Sequence, residues 1–145
     1  SYEILQSNPE TLIGQQVASA RMIKESGIEV IPMGYILIDG GKESAVERVS
    51  HTKPLKQIRE IVDTAIAAEL MGKKIIYLEA GSGAKTPVSP TNIAAVRQAV
   101  SVPLIVGGGI CCPEQQRAAY QAGADIVVVG NYLEQHPYEI SRFLV

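Results

Sequence analysis

Four apolar runs in this chain, Glu29–Ile38, Ile75–Glu79, Pro103–Val106 and Ile126–Val129, end in small residues, and each leads on, directly or through a loop, to a further segment of helical pattern. Strands that read as near-continuous hydrophobic runs are covered on both faces, and the helices between them are the usual cover. Such strands are joined by right-handed crossovers, so the sequence predicts an α/β fold with a parallel sheet. A weak opening strand, Glu3–Gln6, completes the order β-α-β-loop-α-β-α-β-α-β-α. That repeating unit suits a (βα) barrel or a doubly wound sheet.

Apolar spacing places the helices. Asn8 as N-cap and Pro9 as first helical residue open the first, and Leu12, Ile13, Val17, Ala20 and Ile23 share one face up to Gly27. Ile58, Ile61, Val62, Ala65, Ile66 and Leu70 mark the second, closed by Gly72. Ile93, Val96 and Val100 face inward on the third. Pro113 opens an Ala-rich fourth that ends at Gly123, and a short helix from Pro137 to Leu144 closes the chain. The stretch from Asp39 to Pro54 reads as a loop, of a length that is often functional or mobile.

At 145 residues the chain has material for one core, so residues 1–145 are expected to form a single domain. The net charge of -2 gives nucleic acid no electrostatic claim on it. No apolar run approaches the length of a membrane span, and Ser1-Tyr2-Glu3 opens no signal or transit pattern. The cysteines, Cys111 and Cys112, are neighbours, which predicts a reducing, cytoplasmic setting. No Cys/His spacing suits zinc.

In parallel α/β folds ligands bind at the carboxyl ends of the strands. The run Ile75–Glu79 ends there in a carboxylate, followed by Ala80-Gly81-Ser82-Gly83-Ala84. A carboxylate closing an apolar strand is costly unless it is solvated, paired or used, so Glu79 is a candidate base. Tyr77, two residues earlier, points to the same side. The Gly-Ser-Gly turn bares backbone N–H groups and the Ser82 hydroxyl to an anion. Two further strands end in glycine, at Gly107-Gly108-Gly109 and at Gly130-Asn131, each before a helix. That pair matches the phosphate site after the last two strands of many (βα)8 barrels. Tyr77 and Glu79 beside it suit holding and deprotonating a hydroxyl of a phosphorylated substrate. Asp39 reads as a turn residue, Asp125 as a structural one at the remote strand end, and His51 and His136 as surface residues.

The octet Tyr77-Leu78-Glu79-Ala80-Gly81-Ser82-Gly83-Ala84 resembles the signature of the geranylgeranylglyceryl phosphate synthases and their bacterial heptaprenylglyceryl phosphate synthase relatives. The similarity extends through Asn8-Pro9-Glu10, Leu12-Ile13-Gly14, Glu29–Tyr35, Ala45–Ser50, Thr52-Lys53-Pro54 and Val106–Ile110. It implies a prenyltransferase that joins a prenyl diphosphate to the sn-3 hydroxyl of glycerol 1-phosphate in ether-lipid synthesis, with Mg²⁺ on the diphosphate. By the same resemblance Glu79 is the base on that hydroxyl and Tyr77 holds the glycerol. Ser82, Gly108, Gly130 and Asn131 bind the phosphate. The implied fold is a TIM-type (βα)8 barrel, which takes about 250 residues. This chain would supply its C-terminal half, as an incomplete barrel domain. The acidic Mg²⁺ ligands of the family's first half have no counterpart here, so no metal ligand is expected in this chain. A homo-oligomer, and contact with a membrane surface through the lipid product, are further expectations. Two other readings stay open: a different phosphate-site barrel enzyme, such as an isomerase or synthase, and a non-catalytic half-barrel that pairs with itself or another half.

Overall fold

A computed structural model of the protein describes residues 2–4 and 10–144. Five strands, β1 (Tyr2–Ile4), β2 (Met33–Leu37), β3 (Ile75–Glu79), β4 (Leu104–Gly107) and β5 (Ile126–Val128), pair in that order and all in parallel. With sequential order and one crossover hand, the connecting helices fall on one face of the sheet. A doubly wound sheet reverses its order at a switch point, and this sheet does not. The architecture is that of consecutive (βα) units of a TIM-type barrel.

Register sorts the side chains by face. Tyr35, Tyr77, Ile105 and Ile126 stand in one row, and Leu37, Glu79, Gly107 and Val128 in the next, on the face away from the helices. The residues between them, Ile36, Ile76, Leu78, Leu104 and Val106, are buried on the other face. There they share one core with Ile61, Ala65 and Ala68 of α3 (Ile58–Leu70), Ile93 and Val96 of α4 (Pro90–Ala99), and Ala119 of α5 (Pro113–Gln121). Each fully buried Leu, Ile or Val contributes about 1.5–3 kcal/mol. This layer is what holds the strand ends of β3 and β4 in fixed register beneath the site.

The structure corrects several boundaries. β2 begins at Met33 rather than Glu29, because Pro32 has no N–H to give a ladder. β4 runs one residue further, to Gly107, and β5 ends at Val128. The expected loop after β2 contains a helix, α2 (Ala45–Ser50). Its capping box is complete: the Glu47 N–H donates to Ser44 Oγ, and the Ser44 N–H donates to the Glu47 carboxylate. The chain's last part is two elements, α6 (Asn131–Gln135) and a 3-10 helix, Pro137–Phe143. Leu5 and Gln6 of the expected first strand, and the expected cap at Asn8 and Pro9, lie outside the described residues. The helix that follows is α1 (Gln15–Ser26), preceded by a wider turn at Glu10–Gly14 and closed by Gly27 at φ 67°. The apolar stripe of α1 stays uncovered among the described residues: no residue of the helix is buried, and Val17 is 68% exposed.

Asp125 closes the sheet at its remote end, as the sequence suggests. Its Oδ2 accepts the Leu104 N–H at 2.8 Å and the Arg97 guanidinium at 3.2 Å. Leu104 itself is fully buried. Asp125→Ala leaves that N–H unpaired and is expected to destabilise the protein by about 1–3 kcal/mol in a urea melt. An unchanged midpoint would show that water replaces the carboxylate.

Candidate active site

Above the carboxyl ends of β2, β3 and β4 opens a cleft of about 590 Å³. Tyr77, Glu79, Ser82, Gly108, Gly130 and Asn131 all line it. Of the residues expected at the site, only Gly107 does not. It lies under Tyr77, where an added Cβ would stand 2.3 Å from the phenol oxygen.

Glu79 is 8% exposed. Its Oε1 accepts the Gly81 N–H at 2.8 Å, and the carboxylate also accepts the Tyr77 hydroxyl. Burial pushes its pKa up. The two hydrogen bonds pull it down and lose to burial. A carboxylate raised in this way is a better proton acceptor near neutral pH than an exposed one. Burial first, then the charge and hydrogen bond of Glu79, push the Tyr77 phenol above its ordinary value, so Tyr77 remains a donor. Tyr35 meets its ring edge to face, with centroids 5.1 Å apart.

The glycines of β4 give room to these side chains. Gly108 has φ 86°, and an added Cβ would stand 2.4 Å from Glu79 Oε1. An added Cβ at Gly109 would meet the backbone of Thr86 and Pro87. Ser82 Oγ donates to Asn131 Oδ1 at 2.6 Å, tying the β3 turn to the first residue of α6 across 49 positions. Gly130 is the cap residue of α6. Two expected phosphate ligands are thus hydrogen-bonded to each other.

The segment that sequence reasoning did not place at the site is the loop from Asp39 to Ser44. Gly40 accepts the N–H groups of Lys85 at 2.9 Å and Thr86 at 3.3 Å, and an added Cβ there would stand 2.2 Å from the Ala80 carbonyl oxygen. Ser44 lies against Gly81. Lys42, between these anchors, lines the cleft, as does Lys85. The readable signal was the Ser44-x-x-Glu47 capping spacing, which turns the loop into a braced helix start. Asp39 is a turn residue: it accepts the Gly41 N–H at 3.0 Å and pairs with Lys56 at 3.3 Å. The Gly41 bond first, then Lys56, holds its carboxyl below the usual range. His51 and His136 are exposed and do not line the cleft.

Among the described residues no three His, Cys, Asp or Glu side chains converge. Among them, too, no helix is long and apolar enough to cross a membrane.

The model of the PcrB family matches residues 3–144. This chain belongs to the PcrB family. It is 49% identical over 134 residues to the geranylgeranylglyceryl phosphate synthase of Zunongwangia profunda, covering 91% of this chain and 57% of that protein. To the synthase of Thermococcus gammatolerans it is 45% identical over 130 residues, 88% of this chain and 51% of that one. Among solved structures, the Thermoplasma acidophilum synthase in complex with sn-glycerol-1-phosphate matches with a TM-score of 0.91 at 34% identity, over 98% of this chain and 58% of that one. The wild-type Thermoplasma volcanium synthase matches at 0.89 and 36% identity, over 98% and 57%. This PcrB-family chain spans about half the length of the relatives it matches.

Glu79 links the site to stability. Its folded pKa lies above the ordinary value of 4.5, so between the two the folded state binds more protons than the unfolded. Stability therefore falls as pH rises from that ordinary value through the folded one, and ionised Glu79 destabilises the neutral-pH protein. Glu79→Gln removes the charge and keeps the shape. It is expected to raise the urea midpoint at neutral pH and to flatten the loss between acid and neutral pH. A variant less stable at neutral pH would show that the hydrogen bonds to the carboxylate outweigh its burial.

Proposed function

We propose that this chain is the glycerol phosphate-binding part of a prenyltransferase barrel that joins a prenyl diphosphate to the sn-3 hydroxyl of glycerol 1-phosphate. The observation that carries the reading is the pairing of buried Glu79 with half-buried Tyr77 in the same cleft as the Ser82–Asn131 contact. The likeness to a synthase solved with sn-glycerol-1-phosphate supports it. The phosphate sits at Ser82, Gly108, Gly130 and Asn131, over the bared N–H groups of the turns. Gly107 serves it from below, by letting Tyr77 lie flat across β4. Tyr77 orients the glycerol hydroxyl. Glu79 takes the hydroxyl proton as the oxygen bonds the allylic carbon and the carbon–oxygen bond to diphosphate breaks.

On this reading residues 1–145 are one incomplete barrel domain. The Mg²⁺ that such chemistry uses on its diphosphate would be held by residues outside this chain. A cytoplasmic homo-oligomer that meets a membrane surface through its lipid product fits the same reading. The Tyr77–Glu79 pair favours an enzyme over a non-catalytic half-barrel, since nothing in pure assembly calls for a buried, pKa-raised carboxylate.

In an enzyme of the relatives' length carrying these residues, Glu79→Gln is expected to lower prenyl transfer by about 10²–10⁴-fold, the usual contribution of a general base. Calorimetric binding of glycerol 1-phosphate should stay within a few-fold. Near-normal product formation by the variant would reduce Glu79 to a strand-end carboxylate.

A further inference from the structure

We propose that Lys42, on the loop between β2 and α2, supplies the positive charge that binds the ligand's phosphate, a role that rests on the reading of the cleft as a glycerol phosphate site. A phosphate monoester carries a charge of about −1.5 to −2 at neutral pH. Ser82, Asn131 and the glycine N–H groups are neutral donors, and the cleft already holds the carboxylates of Glu79 and Glu134. The charge must be met from elsewhere, and Lys42 and Lys85 are the cations among the described lining residues.

Position selects Lys42. Its Nζ stands 4.0 Å from where a Cβ on Gly83 would be, and Asn131 Nδ2 stands 3.9 Å from the same point. The Ser82 hydroxyl occupies Asn131 Oδ1 and so turns the amide's donor side toward this spot. An ammonium and an amide donor thus converge over a residue that has no side chain to fill the space. Lys42 makes no ion pair among the described residues, so its charge is available to a ligand. Nor is it on a free tether. Gly40 on one side is hydrogen-bonded to Lys85 and Thr86, and Ser44 on the other carries the capping box against Gly81. A lysine held between two anchors loses less freedom on binding an anion than one on an open loop.

The test is calorimetric titration of sn-glycerol 1-phosphate into the protein and into Lys42→Gln, Lys42→Arg and Lys74→Gln variants, at two salt concentrations. Lys74 lies at the amino end of β3, remote from the cleft, and its replacement changes the net charge equally. Lys42→Gln is expected to weaken binding about tenfold or more, as loss of a charge-assisted contact does, and to make binding less salt-sensitive. Lys42→Arg should restore most of the affinity, and Lys74→Gln should leave it unchanged. Wild-type binding that Lys42→Gln alters by less than about twofold would overturn the role of Lys42 and leave the phosphate site standing. Equal losses in Lys42→Gln and Lys74→Gln would also overturn it, in favour of a general field effect. No wild-type binding at millimolar ligand would overturn the glycerol phosphate reading itself, and this inference with it.

Discussion

A carboxylate kept almost dry at the end of β3 is the constraint from which the site's other features follow. Burying a charge is costly unless donors meet it, and Glu79 is met by two, the Gly81 N–H and the Tyr77 hydroxyl. Each donor imposes a condition on the sequence. Gly81 sits at φ 100°, a region open to glycine and strained for other residues. Tyr77 lies across β4, so position 107 has no room for a side chain, and the carboxylate fills the space of a Cβ at position 108. The Gly-Ser-Gly turn of β3 and the triple glycine of β4 are therefore one arrangement, built around one acid.

That arrangement is kept in place by packing that never touches the ligand. The residues that alternate with Tyr77 and Glu79 along β3 are Ile76 and Leu78, both fully buried against α3 and α4. A one-residue slip in register would carry Glu79 into that apolar layer and Leu78 into the cleft, which both the core and the charge oppose. The parallel ladder through Glu79 and Gly107 then sets the acid beside the glycine turn. From the other side, the loop from Asp39 to Ser44 approaches closely because Gly40, Ala80, Gly81 and Ala84 are all small. Close backbone approach thus does for the cleft wall what interdigitating side chains do for the core.

Much of this was legible in the sequence because it is local. β3 has the predicted bounds, Ile75–Glu79, and Ile61, Ala65, Ile93 and Val96 face the core as their spacing requires. The same-side placement of Tyr77 and Glu79 follows from strand geometry alone. What was missed is non-local or overruled by a single residue. Pro32 cut β2 short. The polar composition of residues 39–54 hid α2, although the Ser44-to-Glu47 spacing was there to be read. Asn131 read as a ligand residue, and nothing in the local sequence showed that it also starts a helix and pairs with Ser82. The glycines of β4 read as an anion cradle. That they make room for Tyr77 and Glu79 depends on which strands are neighbours, a fact that no stretch of sequence contains by itself.

The uncovered apolar surface is distributed unevenly, and the distribution bears on function. Val17 of α1, and Ile126 and Val128 of β5, are exposed, while α3, α4 and α5 bury Ile61, Ala65, Ala68, Ile93, Val96 and Ala119 against the sheet. Tyr77, Glu79 and Ser82 project from β3 and its turn, and Gly108 follows β4, the two strands this core supports most directly. The loop carrying Lys42 is fastened to the β3 turn rather than to α1. Geometry in this part of the cleft therefore depends on the middle of the sheet and, through the Ser82–Asn131 contact, on the residues that follow β5 at its edge. The proposed transfer chemistry would need more than this, a second substrate held and its leaving diphosphate neutralised, and among the described residues no three His, Cys, Asp or Glu side chains converge. On the proposed reading, anion binding and proton removal belong to these strands, and leaving-group stabilisation to residues other than the described ones.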